Sequence, residues 1–472
     1  MHIDSTASSQ CLQTTPDLRY VLTISSIGAL GGLLFGYDWV VIGGAKPFFE
    51  KFFQLNTEEL IGWANSCALL GCLAGSMVSG VISGRFGRKI GLLLSAFLFA
   101  ISSVLTGWAP TFTAFIVWRI LGGVAIGMAS GISPMYIAEV SPAQWRGRLV
   151  ALNQLTIVLG ILAAQIVNWL IARDVPENAT AEMIRLSWNG QFGWRWMFTA
   201  VAVPSVIFFF SVLFVPESPR WLAAKGRLDA ARRTLSRIGG SAYGETALAE
   251  IQASLSETAG AHARLTEVFA PAHRKVLLIG ITLAVLQQFS GINVIFNYAE
   301  EIYRNAGYGV NDIMFNIVVT GAINLVCTLI AIATVDRLGR RPLMLLGLAG
   351  TGLVHTLLGF AYSAGLRGVF VLVLTLAAIG FYAVSLAPVV WVLISEIFPN
   401  RIRGAAVAVA VSALWIACFL LTFTFPPLIR ALGPSGAFWL YGALCFSGFF
   451  FIWTCVPETR NKTLEELETH FR

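Results

Sequence analysis

Twelve stretches of this chain stay apolar for about 20 residues, the length a helix needs to cross a ~30 Å hydrocarbon core. They fall near 21–45, 61–83, 90–109, 114–138, 149–172 and 196–215, then 275–299, 312–335, 343–363, 368–394, 405–429 and 436–456. Inside a bilayer every backbone N–H and C=O must find a partner within the protein, so such segments become helices or strands of a closed barrel. Long runs without two-residue alternation predict helices. Composition agrees: 56% of the 472 residues are hydrophobic and 12% charged, against about 25% charged in soluble domains. The predicted fold class is an all-α integral membrane protein.

The net charge of +7 invites a nucleic-acid reading, but the basic residues sit in short loops between apolar runs, where membrane topology wants them. No nucleic acid is expected as a partner; the lipid bilayer is. Six of the cysteines (Cys67, Cys72, Cys327, Cys418, Cys445, Cys455) lie mostly within apolar runs, and none forms a CxxC pair. They read as small buried hydrophobes. The five histidines make no metal-binding pattern, and His355 stands alone in an apolar segment. No metal, cofactor, nucleophile motif or phosphate loop is indicated, so no enzyme is expected.

The spans divide the chain into a tail at 1–20, a six-span bundle at 21–215, a polar segment at 216–274, a second six-span bundle at 275–456 and a tail at 457–472. The polar segment contains GRLDAARRTLSRI and ETALAEIQASL, whose amphipathic spacing predicts linker helices. Loops after even-numbered spans carry Arg85, Arg88, Lys89, Arg146, Arg148, Arg337, Arg340, Arg341, Arg401 and Arg403. Loops after odd-numbered spans carry Glu50, Glu58, Glu59, Asp174, Glu177, Glu182, Glu300 and Glu301. That asymmetry puts the even loops, the linker and both termini in the cytoplasm.

The two bundles repeat one another. GRFGRK at 84–89 returns as DRLGRR at 336–341, AEVSPAQWRG at 138–147 as SEIFPNRIRG at 395–404, and PESPR at 216–220 as PETRN at 457–461. Gly87 and Gly339 are 252 residues apart, and Glu139 and Glu396 are 257 apart. Two parallel repeats of six spans predict a carrier with its site between the halves, near mid-membrane. Glu139 with Arg85, Arg88 or Arg146, and Glu396 with Arg337, Arg340 or Arg403, are placed to pair at helix ends.

GGLLFGYD, GRFGRK, WRILGG, PMYIAEVSPAQWRG, PESPRWL, QQFSGIN, DRLGRRP, SEIFPNRIRG and PETRNKTLEELE cover essentially the whole chain. With these motifs it resembles the sugar porter branch of the major facilitator superfamily, including bacterial xylose–proton symporters and facilitative glucose transporters. The resemblance implies the major facilitator fold, alternating access, and a monomer in the cell (inner) membrane. It also implies a cytoplasmic latch of Arg85, Arg88, Glu139, Arg146, Asp336, Arg337, Arg340, Glu396 and Arg403. The first-half partner of Asp336 is Gly84, where such proteins often carry an acid or amide, so the first-half latch is expected to be the looser one.

A sugar needs amides for its hydroxyls and flat apolar surface for its C–H faces. Positions matching the sugar site of the family are Gln154, Gln287, Gln288, Asn293, Asn324 and Trp391, with Phe35 and Trp415 as aromatic lining. Gln287 and Asn293 lie two turns apart, and Gly291 permits local unwinding between them. The chain departs from the family at Ile161 and Leu414, which replace hydrogen-bonding residues, and at Ala387, which replaces glycine. Gln165, four residues beyond Ile161, and Asn297, four beyond Asn293, are candidate replacements.

Asp38 lies in an apolar run and has Arg119 of WRILGG as its obvious partner. Burial favours the neutral acid and a nearby arginine the carboxylate, so proton binding there responds to water and to the arginine. Proton-coupled relatives carry Asp at this position. The expected function is import of a pentose or hexose with a proton; the alternatives are a facilitative sugar or polyol carrier and, more remotely, a nutrient receptor.

Overall fold

The computed structural model describes residues 16–176, 179–258, 265–399 and 402–460, without the side chains of Glu257, Thr258, Leu265, Thr266, Asp336 and Ser395. Only 16–20 and 457–460 of the predicted tails fall inside it. The first six spans are α1 (Leu18–Phe52), α2 (Glu58–Phe86), α3 (Arg88–Gly107), α4 (Phe112–Val140), α5 (Arg146–Ile171) and α6 (Asn189–Phe214). Then come α7 (Pro271–Asn297), α8 (Val310–Leu338), α9 (Arg340–Ser363) and α10 (Val369–Ile394). The last helical stretch, Arg403–Cys455, runs for 53 residues. At ~1.5 Å per residue that is more than twice a bilayer core. Gly433 (φ 67, ψ 170) breaks it, with Pro434 next, so it is two spans, α11 (403–432) and α12 (434–455), joined without the loop expected at 430–435.

The helices start where side chains can satisfy their free N–H groups. Asp17 accepts from Arg19 N and Tyr20 N at α1, Thr57 from Leu60 N at α2, and Thr111 from Ala114 N at α4. Gly87 (φ 103) and Gly339 (φ 92) make the sharp turns from α2 to α3 and from α8 to α9 in a left-handed conformation that suits glycine.

Within the first half α1 packs on α5 and α2 on α4; within the second, α9 and α7 pack on the α11–α12 stretch. Backbones approach closely, as small residues allow in membrane helices. A Cβ on Gly71 would collide with Ile120 O, and one on Gly123 with Ala68 O. The linker folds as Pro219–Ala224 and the kinked Leu228–Thr258 and docks on the first half. Trp221 Nε1 donates to Gly84 O at 3.0 Å, and Ile238 joins a buried cluster with Val21, Ala29, Ile137 and Leu149.

Between the halves, contacts run from mid-depth to the end away from the arginine motifs. There Trp63 meets Phe419 (6.3 Å between ring centres), Trp169 meets Phe315 (6.1 Å), and Asn311 Oδ1 accepts from Val175 N (3.1 Å).

Gly71→Ala should lower the thermal midpoint in detergent, since overpacking typically costs about 1–3 kcal/mol. Gly80→Ala, with nothing within 4 Å of an added Cβ, should leave the midpoint unchanged or raise it. Equal midpoints for the two variants would contradict the backbone-contact account.

Candidate functional site

Asp38 and Arg119 are both 3% exposed, deep in the first half. Arg119 Nη1 donates to Asp38 Oδ1 at 3.2 Å and Oδ2 at 3.3 Å. The guanidinium lies 5.3 Å from the Phe198 ring centre, and its Nε has no hydrogen-bond partner. Gly122 of α4 leaves room beside the carboxylate: a Cβ there would stand 3.5 Å from Asp38 Oδ2 and 3.2 Å from Ser102 Oγ. The pair thus joins α1 to α4, as its sequence positions predicted, and does not cross between halves.

On the second-half side, α7 breaks at Gly291, a left-handed residue (φ 85), where unwinding was expected. The break and the adjoining turns gather the amides. Gln287 Nε2 donates to Leu386 O (3.2 Å) and Ala387 O (3.4 Å), carbonyls beside a second irregularity at Ser385 in α10. Gln288 Nε2 donates to Gln287 Oε1 (3.3 Å), and Asn293 Nδ2 donates to Gln288 Oε1 and contacts Cys418 Sγ at 3.3 Å. His355 Nε2 meets the Ser290 carbonyl at 2.8 Å, at the break itself. Phe35, Trp39 and Trp415 form a triangle of rings 5.9–6.1 Å apart that bridges the halves. Trp415 Nε1 is buried without a partner.

Gln287, Gln288 and Asn293 therefore come together, as do Phe35 and Trp415. Gln154 is half-buried on α5, Asn324 is buried on α8, and Trp391 is exposed on α10. Asn297 is buried with Oδ1 unpaired. Gln165, also buried with Oε1 unpaired, presses against α8, where a Cβ on Gly321 would strike that oxygen. Ile161, Leu414 and Trp415 are buried too. Sequence reasoning missed Trp39 and Cys418; the aromatic period Phe35–Trp39 on one helix face was the available signal.

At the motif end, Arg88 pairs with Glu139 (2.8 Å) and Arg340 with Glu396 (3.4 Å), each pair within one half. The repeat extends to residues the latch reading omitted. Glu217 accepts from the N–H groups of Arg88 and Lys89, capping α3; Glu458 does the same for Arg340 and Arg341, capping α9. Ser218 donates to Glu139 and Thr459 to Glu396. Burial pushes the Glu217 carboxyl above its ordinary value, against the pull of those N–H groups. Arg403 donates to Phe398 O, Arg460 to Arg337 O, and Arg85 lies over the Phe86 ring. Arg146 begins α5. Asp336's side chain lies outside the described residues.

The opposite end corrects one expectation. Glu50, Glu300 and Glu301 are not loop acids: they lie in helices Leu18–Phe52 and Ala299–Asn305 and surround Lys46, a residue of 0% exposure overlooked in the apolar run. Its spacing to Glu50, one helical turn, was the missed signal.

The sequence profile described as "Sugar (and other) transporter" matches residues 24–471. The chain is 37% identical to the D-xylose-proton symporter of Escherichia coli, covering 97% of each protein. It is 40% identical to the glucose transport protein of Synechocystis (98% of this chain, 99% of that one) and 38% to the arabinose-proton symporter of Bacillus subtilis (96% and 95%). Its fold matches the E. coli xylose transporter in an inward-open conformation with a TM-score of 0.84 at 36% identity, covering 96% of this chain and 100% of that one. The same protein bound to 6-bromo-6-deoxy-D-glucose matches with a TM-score of 0.81 at 37% identity, covering 96% and 99%. With twelve spans in two repeated halves, this chain belongs to the sugar transporter family of the major facilitator superfamily.

Proposed function

We propose that the protein is a proton-coupled symporter that imports a monosaccharide, a pentose or hexose, by alternating access. The observation that carries this reading is the buried Asp38–Arg119 pair in the first half, close to an aromatic and amide-lined site shared with the second. The sugar–proton symport named for the E. coli and B. subtilis relatives supports it. A lone charge at mid-membrane costs about 2.5–3.5 kcal/mol on insertion scales. Protonation of Asp38 removes its negative charge and leaves Arg119 as the lone charge, so the guanidinium must find another acceptor or water, which gives proton binding a route to the helix packing around the site.

Sugar hydroxyls meet Gln154, Gln287, Gln288, Asn293 and Asn324, while Phe35, Trp391 and Trp415 line the ring faces. Asn297 and Gln165 restore hydrogen-bonding capacity lost at Leu414 and Ile161; their unpaired buried oxygens are costly without a ligand or water. The arginine motifs face the cytoplasm, with both termini, and the latch assigned to them forms across the halves when that end closes. The conformation described here is then closed outside.

Asp38→Asn should abolish uphill sugar accumulation in proteoliposomes with a pH gradient while sparing sugar counterflow. Retained accumulation would sink the coupling role, and coupling-free uptake by the unmodified chain would favour a uniporter. Asn297→Ala should weaken sugar affinity by about tenfold, the worth of one good hydrogen bond; an unchanged counterflow half-saturation removes Asn297 from the site.

A further inference from the structure

At the outer end the halves are joined by buried charge. Lys46 of α1, in the first half, bonds Glu301 of Ala299–Asn305, in the second. Its Nζ lies 3.5 Å from Glu50 Oε1 and 3.9 Å from Glu300 Oε2, and 4.6 Å from the centre of the Tyr298 ring. Lys46 is fully buried, and the side chains of Glu50, Glu300 and Glu301 are 10%, 6% and 16% exposed. Arg304, more than half exposed, pairs with Glu300 at 2.6 Å.

The charges do not balance. With Glu300 matched by Arg304, one ammonium faces the two carboxylates of Glu50 and Glu301. On the half-buried rim Lys51 acts on Glu50 and Glu58 acts on Tyr298; among the buried side chains themselves the excess is one negative charge. A second observation agrees: Glu301 Oε2 is buried without a hydrogen-bond partner among the described residues, and Glu50 Oε1 has only its 3.5 Å ion pair with Lys46. An excess buried anion with an unpaired oxygen is strongly unfavourable, and a bound proton removes it.

We propose that the closed outer end binds one proton, held by Glu50 and Glu301 against Lys46, and releases it when the halves part and water reaches the carboxylates. The site is separate from Asp38, which lies within one half and exchanges no partner across the interface. Because this proton enters and leaves from the outer face, it adds nothing to transport stoichiometry. It makes outer closure pH-dependent. The carboxyl pair binds its proton more tightly closed than open, so closure is favoured below the open-state titration and weakens as pH rises through the closed-state one. The role rests on reading the chain as an alternating-access carrier, but its test needs neither sugar nor transport.

Spin labels at Asn56→Cys and Asn305→Cys, in a chain whose other exposed cysteines are replaced, report the width of the outer end by pulsed EPR. In an Asp38→Asn background, and again with Asp38 intact, the closed-to-open ratio should fall with rising pH, by up to about tenfold per unit for one linked proton. Glu301→Gln, or Glu50→Gln should the first not fold, should flatten that dependence and keep the end closed at alkaline pH. A pH-independent ratio in the Asp38→Asn parent, or the same slope with either glutamine in place, overturns the proposal whatever Asp38 does in transport.

Discussion

A charge held away from water must be compensated where it stands, and the organisation of this protein follows from where it accepts that requirement. Among the described residues, the buried Asp, Glu, Lys and Arg side chains are Asp38, Lys46, Glu50, Arg119 and Glu300. They form two groups with different mechanical standing. Asp38 and Arg119 belong to two spans of one half, so rigid movement of the halves leaves them together; only a proton, water or a local shift separates them. Lys46 and Glu301 belong to different halves, so the same rigid movement must part them. One group senses its chemical surroundings and the other senses geometry.

The two halves also differ in how they build their share of the site. In the first, α2 and α4 meet backbone to backbone through Gly71 and Gly123, which leaves continuous spans and a fixed platform for Arg119. In the second, α7 and α10 are interrupted at Gly291 and Ser385. Interrupted spans leave backbone carbonyls without helical partners, and those groups must be met by side chains. At the α7 break His355 takes the Ser290 carbonyl, while Gln287 donates to the carbonyls of Leu386 and Ala387 in the first turn after the α10 break. The amides proposed for substrate and the props of the hinge are thus the same kind of residue here. A polar side chain near the α7 break serves the fold until a ligand competes for it.

Much of this was legible in the residues. Span length and the recurrence of GRFGRK as DRLGRR specify twelve helices in two halves, because both features arise from short-range rules. Gly291 predicted a break because few residues tolerate its conformation. What escaped reading was whatever depends on two distant segments meeting. Glu50, Glu300 and Glu301 looked like loop acids because an acid's surroundings are set by the helix packed against it, and Lys46 lies 255 residues from Glu301. Cys418 looked like a small hydrophobe until α7 brought Asn293 to its sulfur. The latch arginines are a subtler case. The observed pairs, Arg88–Glu139 and Arg340–Glu396, are among those the sequence placed at helix ends, but the caps from Glu217 and Glu458, in the repeated PES and PET motifs, escaped it.

The number 255 does more than mark a missed contact. It is also the separation of Asp38 from Asn293, so both couples occupy equivalent places in the two repeats. Equivalent residues of parallel repeats touch only beside the axis that relates the halves. Lys46 and Glu301 touch, which puts them at that axis; Asp38 and Asn293 turn away from it, one to Arg119 and the other to Gln288 and Cys418. The consequences differ. At the axis, identical residues would set like charges against each other in a buried site, so the two copies must be complementary, a lysine facing a glutamate. Away from it, each copy answers only to its own half, and the same position is free to hold a carboxylate in one repeat and an amide in the other. The proposed division between proton chemistry at Asp38 and sugar chemistry at Asn293 therefore needs no departure from the repeated fold, only distance from its axis.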